Sequence, residues 1–561
     1  MPKKWEIHKP NPPLQANLSR ALNIHPIISQ LLINREITDV QEAKDFLYAD
    51  LSGLHDPFLL KNMGKAVARI QDAREKGQRA LVIGDYDVDG VTASVLLNNV
   101  LTQMGIEVIH HIPHRMEDGY GMNEKMGRFA AEQGAGLVIA VDCGITAHRE
   151  VDLINQRGID VIILDHHETD NRLPDAYAII NPKQKDCPYP FKHLASVGLV
   201  AKLTQALLGT SESEKVLDLA AIGTVADVVP LLGENRIFVK SGLPKINITK
   251  NQGLRALLDV AKIKGKKLSP FHIGFVIGPR INAAGRMDTA QTSLDLFLSN
   301  DYDEAYGLAK ILDRHNQARQ KIQAEIIDEA FELVEQEVNF KDQKVIVLGK
   351  EGWHKGVLGI VASKLADKYY RPAIVISIEE GIGTASARSI DGFHLHDALV
   401  DCAAYLEDFG GHAGAAGLTI KEENIDPFRA LINEIARETL EVKKLVPTLT
   451  IDCEIPLSSI SLELAEIIDS MQPFGEGNPS PIFCSRQVTV ISGPAILGKN
   501  TLKFWAADGD CSVSVVGFGL ADLKGMVKLG QKIDLAYEIA IDDWNKSPTP
   551  QLVLRDMKVS E

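Results

Sequence analysis

Between residues 79 and 182, short unbroken apolar runs alternate with longer amphipathic stretches. RALVIG reads as a strand, VTASVLLNNVLTQMG as a helix and IEVIHHI as a strand. GLVIAVD, ITAHREVDLINQRG and IDVIILD then repeat the order. Runs of Val, Ile and Leu without polar alternation suit strands buried on both faces, so the pattern predicts an α/β unit built on a parallel sheet covered by helices. Residues 191–227 read mostly helical and end in AAIGTVADVVPL. The stretch DEAYGLAKILDRHNQARQKIQAEIIDEAFELVEQ has no Gly or Pro after Gly307 and predicts one extended helix, a connector between domains. A second α/β unit begins at KVIVLG and runs to about 440. From 447 onward the period falls to two, in TLTIDCEI, RQVTVISG, TLKFWAA, SVSVVGFG, KIDLAYEIA and QLVLRDMKV, as in a small β-barrel. The expected organisation is therefore an N-terminal segment (1–44), a first α/β domain (45–235), a basic insertion with the connecting helix (236–340), a second α/β domain (341–445) and a barrel (446–561).

Composition narrows the class. No stretch approaches the roughly 20 apolar residues of a membrane span, and the opening MPKKWEIHKPNPP has no apolar signal core, so a cytoplasmic protein without a membrane partner is expected. The six cysteines are scattered singly, which suggests neither a zinc site nor a disulfide framework. A net charge of −15 argues against a polyanionic partner for the chain as a whole. The charge is uneven, however: Arg236 to Arg286 carries eleven Lys or Arg against one acid, Asp259. Such a stretch is either a solvated face or a local basic surface able to meet phosphates.

The run Gly84-Asp85-Tyr86-Asp87-Val88-Asp89-Gly90 carries the first chemistry. It looks like the opening of a calcium-binding EF-hand loop, but the twelfth position is Leu96 instead of Glu and a strand precedes it where a helix is required. What remains is three carboxylates at the carboxyl end of a parallel strand, where α/β sheets place their ligands. Packed this closely they repel, unless cations neutralise them. The bland reading, an acidic surface turn, weakens with the next strands. GLVIAVDCG delivers Asp142 at its end, IDVIILDHHE delivers Asp165, His166 and His167, and TVADVV offers Asp227 near the end of a predicted helix. Asp and His converging on one sheet edge describe a site for Mn²⁺ or Mg²⁺, and the number of carboxylates suggests two ions sharing a bridging ligand, a pair suited to phosphoryl hydrolysis.

GDYDVDG, VDCG, DHHE and ADVV together resemble the DHH phosphoesterase superfamily. GWHKGVLGIVASKL, SARSIDGFHLHDAL and GGHAGAAGL are similar to its DHH-associated substrate-binding domain, and PRINAAGRM, QPFGEGNP and the terminal OB-like barrel resemble its bacterial single-stranded-DNA exonucleases. The likeness covers residues 45–561. It implies a parallel-sheet DHH domain joined by a long helix to a second α/β domain, with an OB-like barrel at the end. It also implies a processive 5′→3′ exonuclease that releases mononucleotides from single-stranded DNA in repair and recombination. A single-strand-binding protein and a helicase are implied as cooperating partners, and a monomer is expected. Carried over by motif, one ion is held by Asp87 and Asp142 with Asp85 nearby, and the other by Asp89, Asp142, His166 and Asp227. His167 faces the scissile phosphate, and Asp165 orients the loop. The rivals are a small-substrate enzyme such as an oligoribonuclease or cyclic-dinucleotide phosphodiesterase, and a binding-only scaffold, which the complete ligand set disfavours.

For the substrate, Arg115 and Tyr120 in IPHRMEDGYGMN are candidates for a pocket at the 5′ end. Arg280 and Arg286 are expected in a small-residue loop, Ser386 and Arg388 in SARS, and His412 in a glycine-rich turn with exposed N–H groups. GPAILGKN comes close to a phosphate loop, but Asn500 stands where Ser or Thr is needed and no helix follows, so a hairpin turn is the better reading. In TLKFWAA, Lys503, Phe504 and Trp505 are candidates for strand contact, although an alternating strand buries one side of each such pair.

Overall fold

The computed structural model describes residues 3–113, 121–170, 172–441, 445–542 and 547–560. Its chain divides into two compact units, one of residues 7–313 with 450–561 and a smaller one of residues 1–6 with 314–449.

In the larger unit a five-stranded parallel sheet is formed by β1 (Arg79–Gly84), β2 (Val108–His111), β3 (Ala135–Val141), β4 (Asp160–Leu164) and β5 (Ala178–Ile180), in the order β2-β1-β3-β4-β5. Strand order reverses between β1 and β3, and a sheet of this topology opens a crevice at their carboxyl ends. Leu81, Ile83, Val138, Ala140, Val161 and Ile163 are fully buried against one helical layer, and Val82, Ile139, Val141, Ile162 and Leu164 against the other. The two-sided burial is the reason these strands lack polar alternation. The helices that matter for the site are α1 (Val88–Gln103), α2 (Ser196–Leu208), α3 (Leu217–Ala226) and α4 (Gly278–Met287).

The basic stretch does not stand apart as an insertion. Leu254, Leu257, Ile273, Ile277 and Ile281 share one core with Val88, Val91 and Val95 of α1. Nor is PRINAAGRM a loop: it is α4, entered through one π-helical turn, Ile273–Ile277. Pro279 suits a first helical turn, the two alanines favour helix, and a Cβ on Gly285 would lie 3.3 Å from the Tyr86 carbonyl oxygen, so small residues here serve close packing. Part of the positive charge is also structural. Arg236 is 1 % exposed, lies over the Phe46 ring at 4.0 Å, and donates to the carbonyls of Phe46, Met471 and Gln472.

Helices Pro12–Leu22, Pro26–Asn34 and Val40–Leu47 at the chain's start bury Leu18, Ile28, Leu31 and Leu32 in the same core as the C-terminal strands. Those strands, from Cys453–Glu454 to Thr549–Val559, form a seven-stranded sheet in which Phe483–Val490 also pairs Thr501–Asp508. In Thr501–Asp508 the alternation resolves the sequence ambiguity: Phe504 is buried and Trp505 is 43 % exposed. Ala495–Leu497 pairs with Thr501–Leu502–Lys503, so the phosphate-loop look-alike is a hairpin turn.

Helix α5 (Tyr302–Glu337) runs without a break from the larger unit into the smaller. The smaller unit holds a second five-stranded sheet of β6 (Ile346–Glu351), β7 (Ala373–Glu379), β8 (Ile382–Arg388), β9 (Leu406–Gly411) and β10 (Ala415–Lys421), in the order β9-β10-β8-β7-β6. Only β6 and β7 are parallel. Helix α6 (Leu358–Tyr369) packs on it. No helix of the described residues is long and apolar enough to cross a membrane.

Candidate metal centre

The acidic run leaves β1 and turns at once into α1. A Cβ on Gly84 would lie 2.0 Å from the Ser94 hydroxyl, and one on Gly90 would lie 2.5 Å from the Asp85 carbonyl oxygen, so the turn closes too tightly for any other residue. Asp87 caps the new helix: its Oδ1 accepts from the N–H groups of Asp89 at 2.9 Å and Gly90 at 3.1 Å. Asp89 is fully buried and accepts from the first amides of α2, Ser196 at 2.7 Å and Val197 at 2.9 Å. That position also favours its negative charge, because a helix N-terminus is electropositive. Helix α3 can approach because Gly223 has no side chain: a Cβ there would meet Thr92 Oγ1 at 2.5 Å and Asp89 Oδ1 at 2.8 Å. The helix delivers Asp227 at its last turn.

Strand β3 delivers Asp142 and β4 delivers Asp165, His166 and His167. Asp142 has φ 63° and Val228, the residue after Asp227, φ 61°. The left-handed region is unfavourable for any side-chain-bearing residue and worst for a β-branched one, so the surrounding structure must impose both conformations. Both outliers sit at, or next to, the converging carboxylates.

Among the described residues, three groups each bring their ligand atoms within 4.8 Å of one another: Asp85, Asp87 and Asp142; Asp89, His166 and Asp227; Asp142, His166 and His167. Asp142 belongs to two of them. His166 Nε2 lies 3.3 Å from Asp142 Oδ1 and 3.4 Å from Asp227 Oδ2. Neither His166 Nε2 nor Asp227 Oδ2 has a hydrogen-bond partner, and both are buried. Orphaned polar atoms at this depth are costly, and a cation is the natural partner for such a pair.

The electrostatics agree. Burial, then the charge of Asp87, pushes Asp89 up to about 7. Burial, with Asp89 and Asp87 as neighbours, pushes Asp227 up to about 9. Burial and the surrounding carboxylates hold Asp142 well above the usual range. Burial and the nearby His167 push His166 down to about 3, leaving it a neutral imidazole, the form that ligates metal. Carboxylates in this state cannot all ionise without compensating positive charge, so the donor set, hard oxygen with one imidazole, fits Mn²⁺ or Mg²⁺.

Asp165 behaves differently. Its Oδ2 accepts from the Ile145 N–H at 3.0 Å, and its Oδ1 from the His167 N–H at 3.1 Å and His167 Nδ1 at 2.7 Å. Burial opposes its charge, but the His167 hydrogen bonds outweigh that and hold it below the usual carboxylate range. Asp85, Asp87, Asp142 and Asp227 line a cavity of about 400 Å³ together with Tyr86, His167 and, from α4, Asn282 and Arg286.

Asp85, Asp87, Asp89, Asp142, His166, His167, Asp227 and Arg286 are thus brought together. Arg280 is not: it donates to Asp313 at 2.9 Å and to the Val276 carbonyl at 2.7 Å, and does not line the cavity. Arg115 and Tyr120 lie outside the described residues. Ser386 and Arg388 sit on β8, in the smaller unit, over the start of α6. A Cβ on Gly359 would meet Arg388 Nη2 at 3.2 Å and Ser386 Oγ at 3.4 Å. His412 occupies the exposed turn between β9 and β10, where its Nδ1 accepts from the Gly414 N–H at 3.2 Å. Sequence reasoning missed Ser196, whose hydroxyl donates to Asp142 Oδ1 at 2.9 Å, and Asn282. No local pattern marks Ser196. Asn282 could have been found only by placing PRINAAGRM on a helix, four residues before Arg286.

Residues 79–224 match the DHH family, N-terminal domain, residues 342–438 the DHHA1 domain, and residues 451–556 the RecJ OB domain. The chain is similar to the single-stranded-DNA-specific exonuclease RecJ of Bacillus subtilis, 39 % identical over all of this chain and 71 % of that relative. It is also similar to the RecJ of Escherichia coli, 35 % identical over 94 % of this chain and 95 % of that one. The crystal structure of Thermus thermophilus RecJ in complex with Mn²⁺ superposes with a TM-score of 0.84 at 29 % identity, covering all of this chain and 80 % of that one. The Mg²⁺ complex superposes with a TM-score of 0.78 at 27 % identity, covering all of this chain and 79 % of that one.

Proposed function

The chain belongs to the RecJ family of single-stranded-DNA-specific exonucleases, and from that premise we propose a 5′→3′ exonuclease that hydrolyses single-stranded DNA to 5′-mononucleotides at a two-ion centre. The observation that carries the reading is the pair of buried, partnerless ligand atoms, His166 Nε2 and Asp227 Oδ2, beside three carboxylates of the β1 turn and Asp142.

When bound, two Mn²⁺ or Mg²⁺ ions neutralise the phosphodiester and activate water. Asp87 and Asp142, with Asp85, would hold one; Asp89, Asp142, His166 and Asp227 would hold the other. The protein's own work is positional. Asp165 fixes His167 by two hydrogen bonds, so that the imidazole faces the cavity and can stabilise charge on the scissile phosphate. Arg286, which lines the same cavity, has a planar guanidinium suited to a charge-assisted contact with phosphate. Arg115 and Tyr120 are proposed for the 5′ end, and Ser386, Arg388 and His412 as phosphate contacts on the smaller unit. Arg280 is withdrawn from this role by its ion pair with Asp313.

The test is degradation of 5′-labelled single-stranded DNA, duplex DNA and short RNA with Mn²⁺, beside Asp142→Ala. Release of mononucleotides from single-stranded DNA alone, abolished in Asp142→Ala, is expected. Full activity in Asp142→Ala would overturn the centre, and a preference for dinucleotides would make this a small-substrate enzyme.

A further inference from the structure

The helical segment leading into α4 presents two large aromatic side chains to solvent. Phe271 is 61 % and Phe275 70 % exposed, with ring centroids 4.9 Å apart and planes at 25°. Exposing two phenylalanines side by side forgoes the free energy of burying them, and nothing in the larger unit's core requires it, since Ile273 and Ile277 of the same turn are fully buried and anchor the segment. Their surroundings are cationic. Lys262, Lys264, Lys266 and Lys267 are exposed just before them. Lys264 and Lys267 pair with Asp259 and Asp469, while Lys262 and Lys266 make no ion pair among the described residues. The helical run then continues into α4, which carries Asn282 and Arg286 to the metal cavity. Phe275 and Arg286 are eleven positions apart, about 16 Å along a helix axis.

We propose that Phe271 and Phe275 form a base-stacking platform for single-stranded DNA, a few nucleotides away from the scissile phosphate held at Arg286. Stacked aromatic faces accept any base, and the flanking lysines meet a phosphate backbone, which suits an enzyme that must hold a strand without reading it. A hydrophobic protein partner would use the rings but gives no reason for Lys262 and Lys266 to stand beside them without an ion pair among the described residues. The platform rests on the exonuclease reading.

Phe271→Ala/Phe275→Ala tests it, with a Phe275→Trp variant as fluorescent reporter. Both rings are exposed, so the double variant should melt with the wild type. On long single-stranded DNA its KM should rise about 5-fold or more, with kcat and the turnover of a dinucleotide, which cannot span from cavity to platform, unchanged. Phe271→Tyr/Phe275→Tyr should restore KM, and an oligonucleotide added in EDTA should quench the indole fluorescence that the Phe275→Trp variant gains over wild type. If wild type degrades no single-stranded DNA, the exonuclease reading itself has failed. If wild type is active but the double variant keeps its KM and the reporter is not quenched, the platform is wrong and the rings serve a protein partner instead.

Discussion

His166 Nε2 and Asp227 Oδ2 face each other at 3.4 Å, both buried and neither hydrogen-bonded. With the imidazole held neutral, the contact is no ion pair, and its most effective stabiliser is a shared cation. Partners that only orient a ligand are worth about 10–100-fold in metal affinity, so loss of a ligand itself should cost more. Asp227→Asn and His166→Ala should each weaken Mn²⁺ binding by over about 100-fold in calorimetric titration. Unchanged binding in either would remove that residue from the ligand set.

The metal-free centre should make stability fall with pH. Asp89 titrates at about 7 and Asp227 at about 9 in the folded protein, against 3.8 for an ordinary carboxyl. Between those values the folded state keeps protons that the unfolded state has lost. The stabilisation is complete below the unfolded value and disappears as pH rises through 7 and toward 9. Melting of EDTA-treated protein should therefore drop from about pH 6 to about pH 9, and the gain on adding Mn²⁺ should grow over the same window. Asp227→Asn should flatten the slope; an equally steep one would mean that the dependence originates elsewhere.

Ser196 touches no proposed substrate atom, yet its hydroxyl holds Asp142 Oδ1. Ser196→Ala should lower Mn²⁺ affinity or kcat by about 10–100-fold, with far-UV dichroism unchanged. Excess Mn²⁺ should recover part of the activity, which a merely misfolded variant would not do.

Asp165 acts through His167. Asp165→Asn keeps the shape but exchanges a charged acceptor for a neutral amide, so kcat should fall while metal affinity remains near wild type. The pH profile should also change: burial pulls the His167 imidazole down, but the hydrogen bond and charge of Asp165 outweigh it and hold it above its ordinary pKa, so without that charge it would become easier to deprotonate. A profile identical to wild type would show that Asp165 does not tune His167.

Gly223→Ala would push a methyl to 2.5 Å from Thr92 and 2.8 Å from Asp89. Overpacking of this kind costs about 1–3 kcal/mol. Chemical denaturation should register that loss together with weakened metal binding, since α3 also carries Asp227. A neutral substitution would show that α3 can shift without disturbing the site.

Much of this was legible along the chain because it depends on short-range pattern. Two-sided burial gives β1, β3 and β4 their unbroken apolar runs, and an α/β sheet puts whatever follows such a strand at one edge. The sequence alone therefore points Asp85, Asp142 and His166 to one sheet edge. The phosphate-loop look-alike ending at Asn500 reads as a hairpin turn on local grounds as well. Tertiary structure alone decided the rest. That Arg280 is spent on Asp313, that Arg236 is buried against the carbonyl of Met471, and that Ser196 steadies Asp142 are contacts between residues far apart in the chain, 33 positions for the first and 235 for the second. A side chain's charge is written in the sequence. Whether that charge faces a substrate or is neutralised within the fold depends on which distant groups the packing brings beside it.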